Sequence, residues 1–315
     1  MDDPDRPLIW VNGKLVPKSQ AMVSVYDHGL LYGDGVFEGI RVYNGKIFKC
    51  EQHMDRLYGC AKKIYLDIGI PREEMVRIQR ECIAANGIKD GYIRLIVTRG
   101  EGTLGLNPYS CPQPGIICIA DTIQLYKAEM YQKGMRVVVA NRPRIPIACL
   151  DPRIKSLNYL NNILAKCEAI HLSKQLGITK TEDQLLEVIM LNLKGHVSEG
   201  SGDNIFIIKD GVVLTPPTEA GILEGITRRF VKETLCPQLG VECREELFTK
   251  EDMFAADEMF LTGSAAEMIA VREILEHDDS GVTATHRISD GEGPITARLR
   301  GAFREVVTSD SVPED

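Results

Sequence analysis

The chain has 315 residues, which is long enough for two domains, and its hydrophobic fraction of 44% and charged fraction of 26% are ordinary for a soluble globular protein. No apolar run approaches the roughly 20 residues that cross a bilayer, so no membrane partner is expected, and the acidic beginning Met-Asp-Asp-Pro-Asp-Arg is unlike a signal or transit peptide. The net charge of −8 argues against nucleic acid as a partner.

The first third of the chain alternates between strand and helix patterns. Asn12-Gly13 and Asn44-Gly45 are hairpin signals between β-prone runs, and Pro71 suits the beginning of a helix. The predicted elements are strands at 8–16, 36–43 and 46–49, helices at 52–64 and after Pro71, and strands at 91–99 and 115–121. Met54, Leu57, Ala61 and Ile64 form one stripe of the first helix, which we expect to be buried.

The apolar runs stop around residues 122–134, and this indicates a domain boundary. We predict a small N-terminal domain at 1–122, a linker at 123–133 and a larger C-terminal domain at 134–315. The predicted elements of the larger domain are strands at 135–140, 186–192, 204–209, 211–214, 241–247 and 257–262, and helices at 156–175, at 226–235 and from Pro294. The expected buried stripes are Leu157, Leu160, Leu164 and Cys167 on the first of these helices, and Ile295, Leu299, Phe303 and Val306 on the last. The tail at 309–315 is expected to be disordered.

The nine cysteines are scattered and never spaced as Cys-x-x-Cys. This pattern is typical of reduced thiols, several of them apolar core residues, and we therefore expect a cytoplasmic protein without a zinc site. The six histidines are dispersed too, so no metal is predicted.

Two segments carry a chemically coherent set of side chains. IKSLNYLNN at 154–162 contains Lys155 and Tyr159, and SEGSGDNIF at 198–206 contains Glu199 between small residues. Pyridoxal phosphate needs a lysine for a Schiff base, a phenol for its ring hydroxyl and a carboxylate for its pyridine nitrogen. Each residue is common alone, so the order of the whole set matters.

A glycine-rich stretch at 100–105 formally matches the dinucleotide fingerprint Gly-x-Gly-x-x-Gly. The fingerprint requires a helix to begin there and point its amides at pyrophosphate, but Leu106-Asn107-Pro108 follows. We interpret residues 100–108 as a flexible loop instead.

Phosphate is better served by Leu223-Glu-Gly-Ile-Thr-Arg228, because Gly225 is permissive backbone and Ile226 and Thr227 begin a helix with unpaired amides. Thr262-Gly-Ser-Ala-Ala-Glu267 offers the Ser264 hydroxyl among small residues, and Arg56 offers a guanidinium. Taken singly, the segment 223–228 is better explained as an ordinary helix beginning, and Arg56 as a solvated arginine.

Together these segments make the chain resemble the fold-type IV pyridoxal-phosphate aminotransferases, and most closely the branched-chain amino acid aminotransferases. The motifs that carry the resemblance are YGDGVFEGIR at 32–41, HMDRL at 53–57, YIRLIVTRGEGTLGLNP at 92–108, IKSLNYLNN at 154–162, SEGSGDNIF at 198–206, LEGITRRF at 223–230 and TGSAAE at 262–267. They occur in the family's order over nearly the whole chain.

The resemblance implies a fold and a cofactor site. The expected fold is α/β (α+β), with a small N-terminal domain, a larger domain that has a barrel-like sheet, and pyridoxal phosphate in the cleft between them. Lys155 would bind the cofactor as an imine and transfer the proton, Glu199 would face the pyridine nitrogen, and Tyr159 the ring hydroxyl. The phosphate would be held by Arg56, Ile226, Thr227 and Ser264. In this family the partner of a homodimer supplies loops to the site.

The resemblance also implies substrate contacts from both domains. Tyr32 and Phe37 would line an apolar pocket, although each is about as easily explained as a strand-core aromatic. Tyr92 and Arg94 leave one face of a strand together, so that the phenol can meet an α-carboxylate and the guanidinium the distal carboxylate of glutamate. Ala265 and Ala266 would offer backbone amides to the α-carboxylate.

Two further elements complete this expectation. The loop at 100–108 would act as a lid that excludes water. Either Leu125 or Tyr126 would line the substrate pocket, and the sequence does not choose between them.

The predicted reaction is transamination of L-leucine, L-isoleucine or L-valine with 2-oxoglutarate. A D-amino-acid aminotransferase or an aminodeoxychorismate lyase of the same fold is the first alternative, and Tyr92-x-Arg94 and FEGIR at 37–41 argue against both. A transaminase of broader specificity remains open. A non-catalytic scaffold would not explain the presence of Lys155 and Glu199 together, and a nucleotide-dependent oxidoreductase rests only on the stretch at 100–105.

Overall fold

The structure is a computed structural model, and it describes residues 5–123, 126, 128–309 and 311–315. The chain divides into two compact units. The first unit contains the described residues of Met1–Ile123, with Ile154–Asn158 and Val306–Asp315; the second contains those of Gln124–Arg153 and Tyr159–Glu305. The domain limits predicted from composition stay a prediction, and the two short segments that join the first unit have no counterpart in them.

The first unit is an antiparallel sheet with two helices packed on it. Its strands are β1 Leu8–Val11, β2 Lys14–Pro17, β3 Gly35–Tyr43, β4 Lys46–Ile47, β5 Gly91–Thr98 and β6 Gly115–Asp121, in the sheet order β2-β1-β6-β5-β3-β4. Its helices are α1 His28–Tyr32, α2 Cys50–Lys63 and α3 Arg72–Asn86, with short 3-10 helices at Lys18–Gln20 and Pro108–Ser110.

Local sequence signals explain most of this unit. Asn12 and Asn44 adopt the left-handed backbone conformation at the two predicted hairpin turns, with φ of 46° and 51°. The stripe of α2 is buried as predicted at Met54, Leu57 and Ala61, where it packs into the core beneath the sheet. Cys50, Cys60, Cys82 and Cys118 are buried in the same core, as expected for apolar thiols.

The segment around Lys155 corrects one prediction. The helix expected from residue 156 begins only at Leu160, and residues 154–158 run extended beside β3. The Phe37 amide donates to the Lys155 carbonyl at 3.0 Å, and the Leu157 amide donates to the Gly35 carbonyl at 2.9 Å. The free edge of β3 thus satisfies the backbone groups of this segment, and this outweighs the helical pattern of its side chains.

The second unit is the larger and is built on a mixed eight-stranded sheet. Its strands are β7 Met135–Val139, β8 Leu185–Ile189, β9 Asn204–Lys209, β10 Val212–Thr215, β11 Cys243–Glu245, β12 Glu258–Gly263, β13 Glu267–Asp278 and β14 Gly281–Arg287. The sheet order is β11-β10-β9-β12-β13-β7-β8, and β14 pairs with β13. Its helices are α4 Ala128–Lys133, α5 Leu160–Gln175, α6 Ile226–Phe230, α7 Cys236–Gln238, α8 Lys250–Phe254 and α9 Pro294–Thr308, with a π-helix at Val231–Leu235 between α6 and α7 and 3-10 helices at Thr181–Asp183 and Thr218–Ala220.

Helices α5 and α9 differ in how well sequence predicted their buried faces. Helix α9 begins at Pro294 as predicted and buries Leu299 and Phe303. The stripe predicted for α5 is wrong, because Leu160 and Leu164 are exposed at 59% and 38%. The buried residues of α5 are Asn162, Ala165, Ala169, Leu172 and Ser173, since small side chains let this helix lie close to β8.

Two features of the second half of the chain escaped prediction. Strands β13 and β14, at Glu267–Asp278 and Gly281–Arg287, carry too little period-2 alternation to be recognised. The tail was expected to be disordered, but Val312 is buried and the Lys49 amide donates to the Pro313 carbonyl at 2.8 Å. No helix in the described part of the chain is long and apolar enough to cross a membrane.

Candidate active site

Lys155 lies over an aromatic ring in the first unit. Its Nζ is 4.5 Å from the centroid of the Phe37 ring, and the guanidinium carbon of Arg94 is 4.8 Å from the same centroid. Arg94 Nη2 donates to the Tyr92 hydroxyl at 3.4 Å. Gly39 is opposite Arg94 in the β3–β5 register, and a Cβ there would lie 1.8 Å from the Tyr92 hydroxyl, so the glycine makes room for the phenol. The structure thus brings four predicted site residues together.

A buried charged cluster holds Arg56. Arg56 Nε and Nη2 donate to the two carboxylate oxygens of Glu38 at 2.7 and 2.8 Å, and His53 Nδ1 is 2.7 Å from Glu38 Oε2. Glu38 is fully buried, His53 is almost so, and the Arg56 side chain is 13% exposed. Sequence reasoning missed Glu38 and His53, although both stand inside motifs that it singled out.

The electrostatics of this cluster assign its protonation states. Burial raises the pKa of Glu38, but the charge of Arg56 and the hydrogen bonds from Arg56 and His53 outweigh it and hold this pKa well below its ordinary range. Burial lowers the pKa of His53, against the attraction of Glu38 and together with the charges of Arg56 and Lys155. We therefore describe Glu38 as ionised and His53 as neutral, with Nδ1–H donating to the carboxylate.

Cys60 supports the backbone of Lys155. The Lys155 amide donates to Cys60 Sγ at 3.3 Å. Burial raises the pKa of the Cys60 thiol, so the sulfur acts as a neutral acceptor.

Tyr32 and the loop at 100–108 form a separate group in the first unit. Tyr32 is on α1, and its ring packs edge-on against His28 with centroids 5.0 Å apart. Its hydroxyl accepts from the Gly105 amide at 2.9 Å, and His28 Nε2 is 2.8 Å from the Thr103 carbonyl oxygen. Residues 99–107, all of which the structure describes, contain no helix. The helix that a dinucleotide-binding fingerprint requires at this point is therefore not present in this segment. The lid role and the pocket role of Tyr32 stay predictions.

Glu199 is the centre of the site residues in the second unit. It is buried, Arg144 Nε donates to its Oε1 at 2.8 Å, and the Leu223 amide donates to its Oε2 at 2.8 Å. Asn204 Nδ2 lies 3.4 Å from Oε2. Arg144 is itself buried and also donates to Asn161 Oδ1 at 3.0 Å. Sequence reasoning missed Arg144, which supplies the positive charge that balances the buried carboxylate.

The residues of this unit that are predicted to bind the phosphate lie at the beginning of α6 and in the turn between β12 and β13. Ile226 and Thr227 are buried at the beginning of α6, whose N-cap Gly225 provides no side-chain hydrogen bond. A Cβ at Gly225 would lie 1.9 Å from Asn204 Oδ1, so any other residue would displace this side-chain amide. Ser264, Ala265 and Ala266 form the turn between β12 and β13.

Three tyrosines lie near these elements of the second unit. Tyr159 is half-buried at the N-cap of α5, and Tyr131 donates its hydroxyl to the Ala266 carbonyl at 3.0 Å. Tyr126 is buried in the apolar core, and burial holds its pKa far above the ordinary value. Leu125, the alternative for the substrate pocket, lies outside the described residues.

The donor set fits pyridoxal phosphate in chemical terms. A lysine and an arginine lie in the first unit, and a buried carboxylate, a phenol and a glycine-permitted helix beginning lie in the second. Thr262 Oγ1 is buried and has no hydrogen-bond partner among the described residues, so this hydroxyl can still form a hydrogen bond with a ligand. That these two sets serve one cofactor stays a prediction.

Comparisons with known proteins place the chain in a family. A family model described as amino-transferase class IV matches residues 35–274. A putative branched-chain-amino-acid aminotransferase of Methanocaldococcus jannaschii is 44% identical over 300 residues, which cover 95% of this chain and 96% of the relative.

Two solved structures are similar over almost the full length. The branched-chain amino acid aminotransferase of Escherichia coli has a TM-score of 0.85 and 32% identity, covering 96% of this chain and 94% of that one. The T.th. enzyme of the same name, complexed with N-(5'-phosphopyridoxyl)-L-glutamate, has a TM-score of 0.83 and 33% identity with the same coverage.

The mixed α/β fold and a family match over more than half of the chain identify the protein as an aminotransferase. The chain belongs to the class IV aminotransferase family. The predicted family, the predicted fold class and the prediction that the protein is an enzyme are therefore confirmed.

Proposed function

We propose that this protein is a pyridoxal-phosphate-dependent aminotransferase that converts L-leucine, L-isoleucine or L-valine with 2-oxoglutarate into the branched-chain 2-oxo acid and L-glutamate. The family match over residues 35–274 carries the proposal. Relatives named branched-chain-amino-acid aminotransferase at 44% and 33% identity support the substrate class. The complex of the T.th. enzyme with a phosphopyridoxyl derivative of glutamate supports both the cofactor and the second substrate.

The cofactor would be held by residues of both units. We assign the covalent link to Lys155, the pyridine nitrogen to Glu199 and the ring hydroxyl to Tyr159. The phosphate is assigned to Arg56, Ile226, Thr227 and Ser264. When bound, pyridoxal phosphate supplies a protonated ring that accepts electrons as the substrate's α hydrogen leaves. The Arg144–Glu199 pair at 2.8 Å supports the role of Glu199, since it orients a buried carboxylate in advance.

Lys155 Nζ is the group that takes the α proton and returns it. The Phe37 ring beneath it offers an apolar surface, which limits the water that can compete for that proton. The hydrogen bond from Phe37 to the Lys155 carbonyl and the extended pairing with β3 fix the backbone of the lysine. Substrate Cα would therefore be presented to a base on a rigid element rather than on a free loop.

Substrate recognition follows from the shared face of β3 and β5. Phe37, with Tyr32, would receive the aliphatic side chain, and Arg94 would receive the distal carboxylate of 2-oxoglutarate. Tyr92 and the amides of Ala265 and Ala266 would bind the α-carboxylate. The stacking of Arg94 on Phe37 supports a pocket that takes both substrates, because the guanidinium can swing off the ring when a carboxylate arrives.

We also propose a cytoplasmic location, which the pattern of scattered cysteines supports.

A homodimer is part of the proposal as well. Large apolar side chains are exposed in two stretches of the first unit, and monomers rarely expose such surface without a partner. The exposed residues are Met22, Val23, Val25, Tyr26, Leu30, Leu31, Leu104, Leu106 and Tyr109. A molar mass of the holoenzyme near 35 kDa by light scattering would contradict the dimer.

Turnover of L-leucine and of D-alanine, each with 2-oxoglutarate, tests the activity. We expect L-leucine to react and D-alanine not to react, and the purified protein to carry a yellow absorbance band that changes when L-leucine is added. Activity confined to D-alanine, or a protein that binds a nicotinamide cofactor but no pyridoxal phosphate, would contradict the proposal. A panel with L-phenylalanine and simple amines then measures how broad the specificity is.

A further inference from the structure

The turn between β12 and β13 contains an unusual backbone conformation. Gly263 and Glu267 are the last paired residues of the two strands, so Ser264, Ala265 and Ala266 form a three-residue connection. Glu267 has φ of +59°, in the left-handed region where glycine is normally found at such turns. A side chain other than glycine or asparagine at this position is strained, and strain of this kind persists only where its surroundings enforce it.

An ion pair holds the Glu267 side chain. Arg304 Nη1 lies 3.1 and 3.0 Å from the two carboxylate oxygens. The Glu267 side chain is only 12% exposed, whereas that of Arg304 is 45% exposed. Arg304 stands on α9, whose Leu299 and Phe303 are buried in the second unit, so the guanidinium is attached to a firm support.

A second contact holds the residue before Glu267. Tyr131 donates its hydroxyl to the Ala266 carbonyl at 3.0 Å, and its ring packs against Tyr126 with centroids 6.3 Å apart. Ala266 is fully buried. The turn is therefore attached at Ala266 by a backbone carbonyl and at Glu267 by a side chain, each to a different helix of the unit.

We infer that Glu267, Arg304 and Tyr131 are positioning residues that fix this turn so that its backbone amides point at the α-carboxylate of the substrate. This inference rests on the proposed function, which assigns those amides at Ala265 and Ala266 to the α-carboxylate. Backbone amides bind an anion well only when they are already aligned, because each bond is directional and the chain cannot reorient at no cost. Glycine at 267 would relieve the backbone strain but would leave the turn without its ion pair. Glutamate keeps the strained backbone and fixes the turn through its ion pair with Arg304.

The test compares two ligands of the holoenzyme that share a carbon skeleton, only one of which has a carboxylate. The probes are 4-methylvaleric acid, which is leucine without its amino group, and 4-methylpentan-1-ol, which has the same skeleton without a carboxylate. Inhibition constants against L-leucine are measured for the wild type, Glu267→Ala, Glu267→Gly, Arg304→Ala and Tyr131→Phe. Tyr131→Phe removes one hydroxyl and keeps the ring, so it serves even if another variant fails to fold.

We expect the inhibition constant of the acid to rise about tenfold in the Glu267 and Arg304 variants and about threefold in Tyr131→Phe, a tenfold change being about 1.4 kcal/mol. The constant of the alcohol should change by less than about twofold. Two controls should match the wild type. Asp210→Gly removes a side chain from another left-handed turn position of the second unit, where φ is +50°, and Arg77→Ala removes an exposed ion pair on α3.

Three outcomes would overturn the inference. The first is an unchanged constant for the acid in the variants, and the second is an equal loss for acid and alcohol, which is the signature of general misfolding. The third is a Glu267→Gly enzyme that binds the acid as the wild type does while Glu267→Ala does not, since backbone freedom alone would then explain the turn. A wild type without a yellow band or turnover refutes the proposed function itself, whereas an active wild type with unaffected variants refutes only this inference.

Discussion

In each unit a buried carboxylate is paired with an arginine, and the arginine and the carboxylate exchange roles between the two pairs. In the first unit the arginine, Arg56, is the predicted ligand of the cofactor and Glu38 holds it. In the second unit the carboxylate, Glu199, is the predicted ligand and Arg144 holds it. A motif thus indicates the group that is predicted to act, whereas the orientation of that group depends on a partner that sequence reasoning did not select.

The largest effect is expected at Lys155, the residue proposed to bind the cofactor covalently. Lys155→Ala should lower turnover of L-leucine by at least about a thousandfold, because the base and the covalent link are lost together. Its free energy of unfolding, measured by urea denaturation without cofactor, should stay close to that of the wild type, since the side chain is only half-buried. Residual turnover near the wild-type value would show that neither pair serves a cofactor bound to this lysine.

Breaking each pair from its supporting side tests the comparison directly. Arg144→Met should cost about 3–5 kcal/mol of stability, because it leaves the Glu199 carboxylate buried without a balancing charge. Glu38→Gln should cost less, about 1–3 kcal/mol, because Arg56 keeps some access to water and the amide keeps one acceptor. Urea denaturation of both variants measures the difference. A larger loss for Glu38→Gln would show that the first pair is the stricter one.

Two glycines make room beside polar groups, one in each unit. Gly225→Ala should weaken binding of pyridoxal phosphate about tenfold, because its Cβ would displace the Asn204 amide that approaches Glu199. Gly39→Ala should raise KM for L-leucine about threefold by displacing the Tyr92 hydroxyl. Equilibrium titration and steady-state kinetics measure the two effects.

Gly59→Ala is the matched control for both glycine variants. Gly59 is on α2, and a Cβ there would contact nothing within 4 Å, so the variant should gain up to about 1 kcal/mol from helix propensity and keep both constants. Equal changes in all three variants would contradict the role of close approach at positions 225 and 39.

The smallest expected effect concerns pH and the first pair alone. The pKa of His53 is lowered in the folded state. Below about pH 6.5 the unfolded chain therefore binds a proton that the folded chain does not bind, and the free energy of unfolding decreases as pH decreases. Glu38, also lowered, adds a second loss below about pH 4.5. His53→Asn keeps a donor toward Glu38 but cannot titrate. The wild type should lose about 1 kcal/mol more than this variant between about pH 7.5 and about pH 5.5. Parallel stability curves over that interval would mean that folding leaves the pKa of His53 unshifted, and a gain of stability by the wild type as pH falls would mean that His53 is protonated in the fold.

Sequence predicted most of the fold of the first unit and the family of the whole chain. The hairpins at Asn12 and Asn44 and the buried stripe of α2 depend on neighbours within a few residues, and such local interactions are written in local patterns. The site motifs were recognisable for the same reason, because the residues predicted to bind the cofactor lie in short runs such as IKSLNYLNN.

Other features depended on contacts between distant parts of the chain. Arg144 and Glu199 are 55 residues apart, and Glu267 and Arg304 are 37 apart, so no local pattern relates them. The extended course of residues 154–158 required the unpaired edge of β3, and the inverted exposure of α5 required a close approach to β8. By itself the sequence determined which residues can act, through local periodicity and motif order. Only the tertiary structure decided which partners orient them, because a buried charge selects whatever opposite charge the folded chain brings within reach.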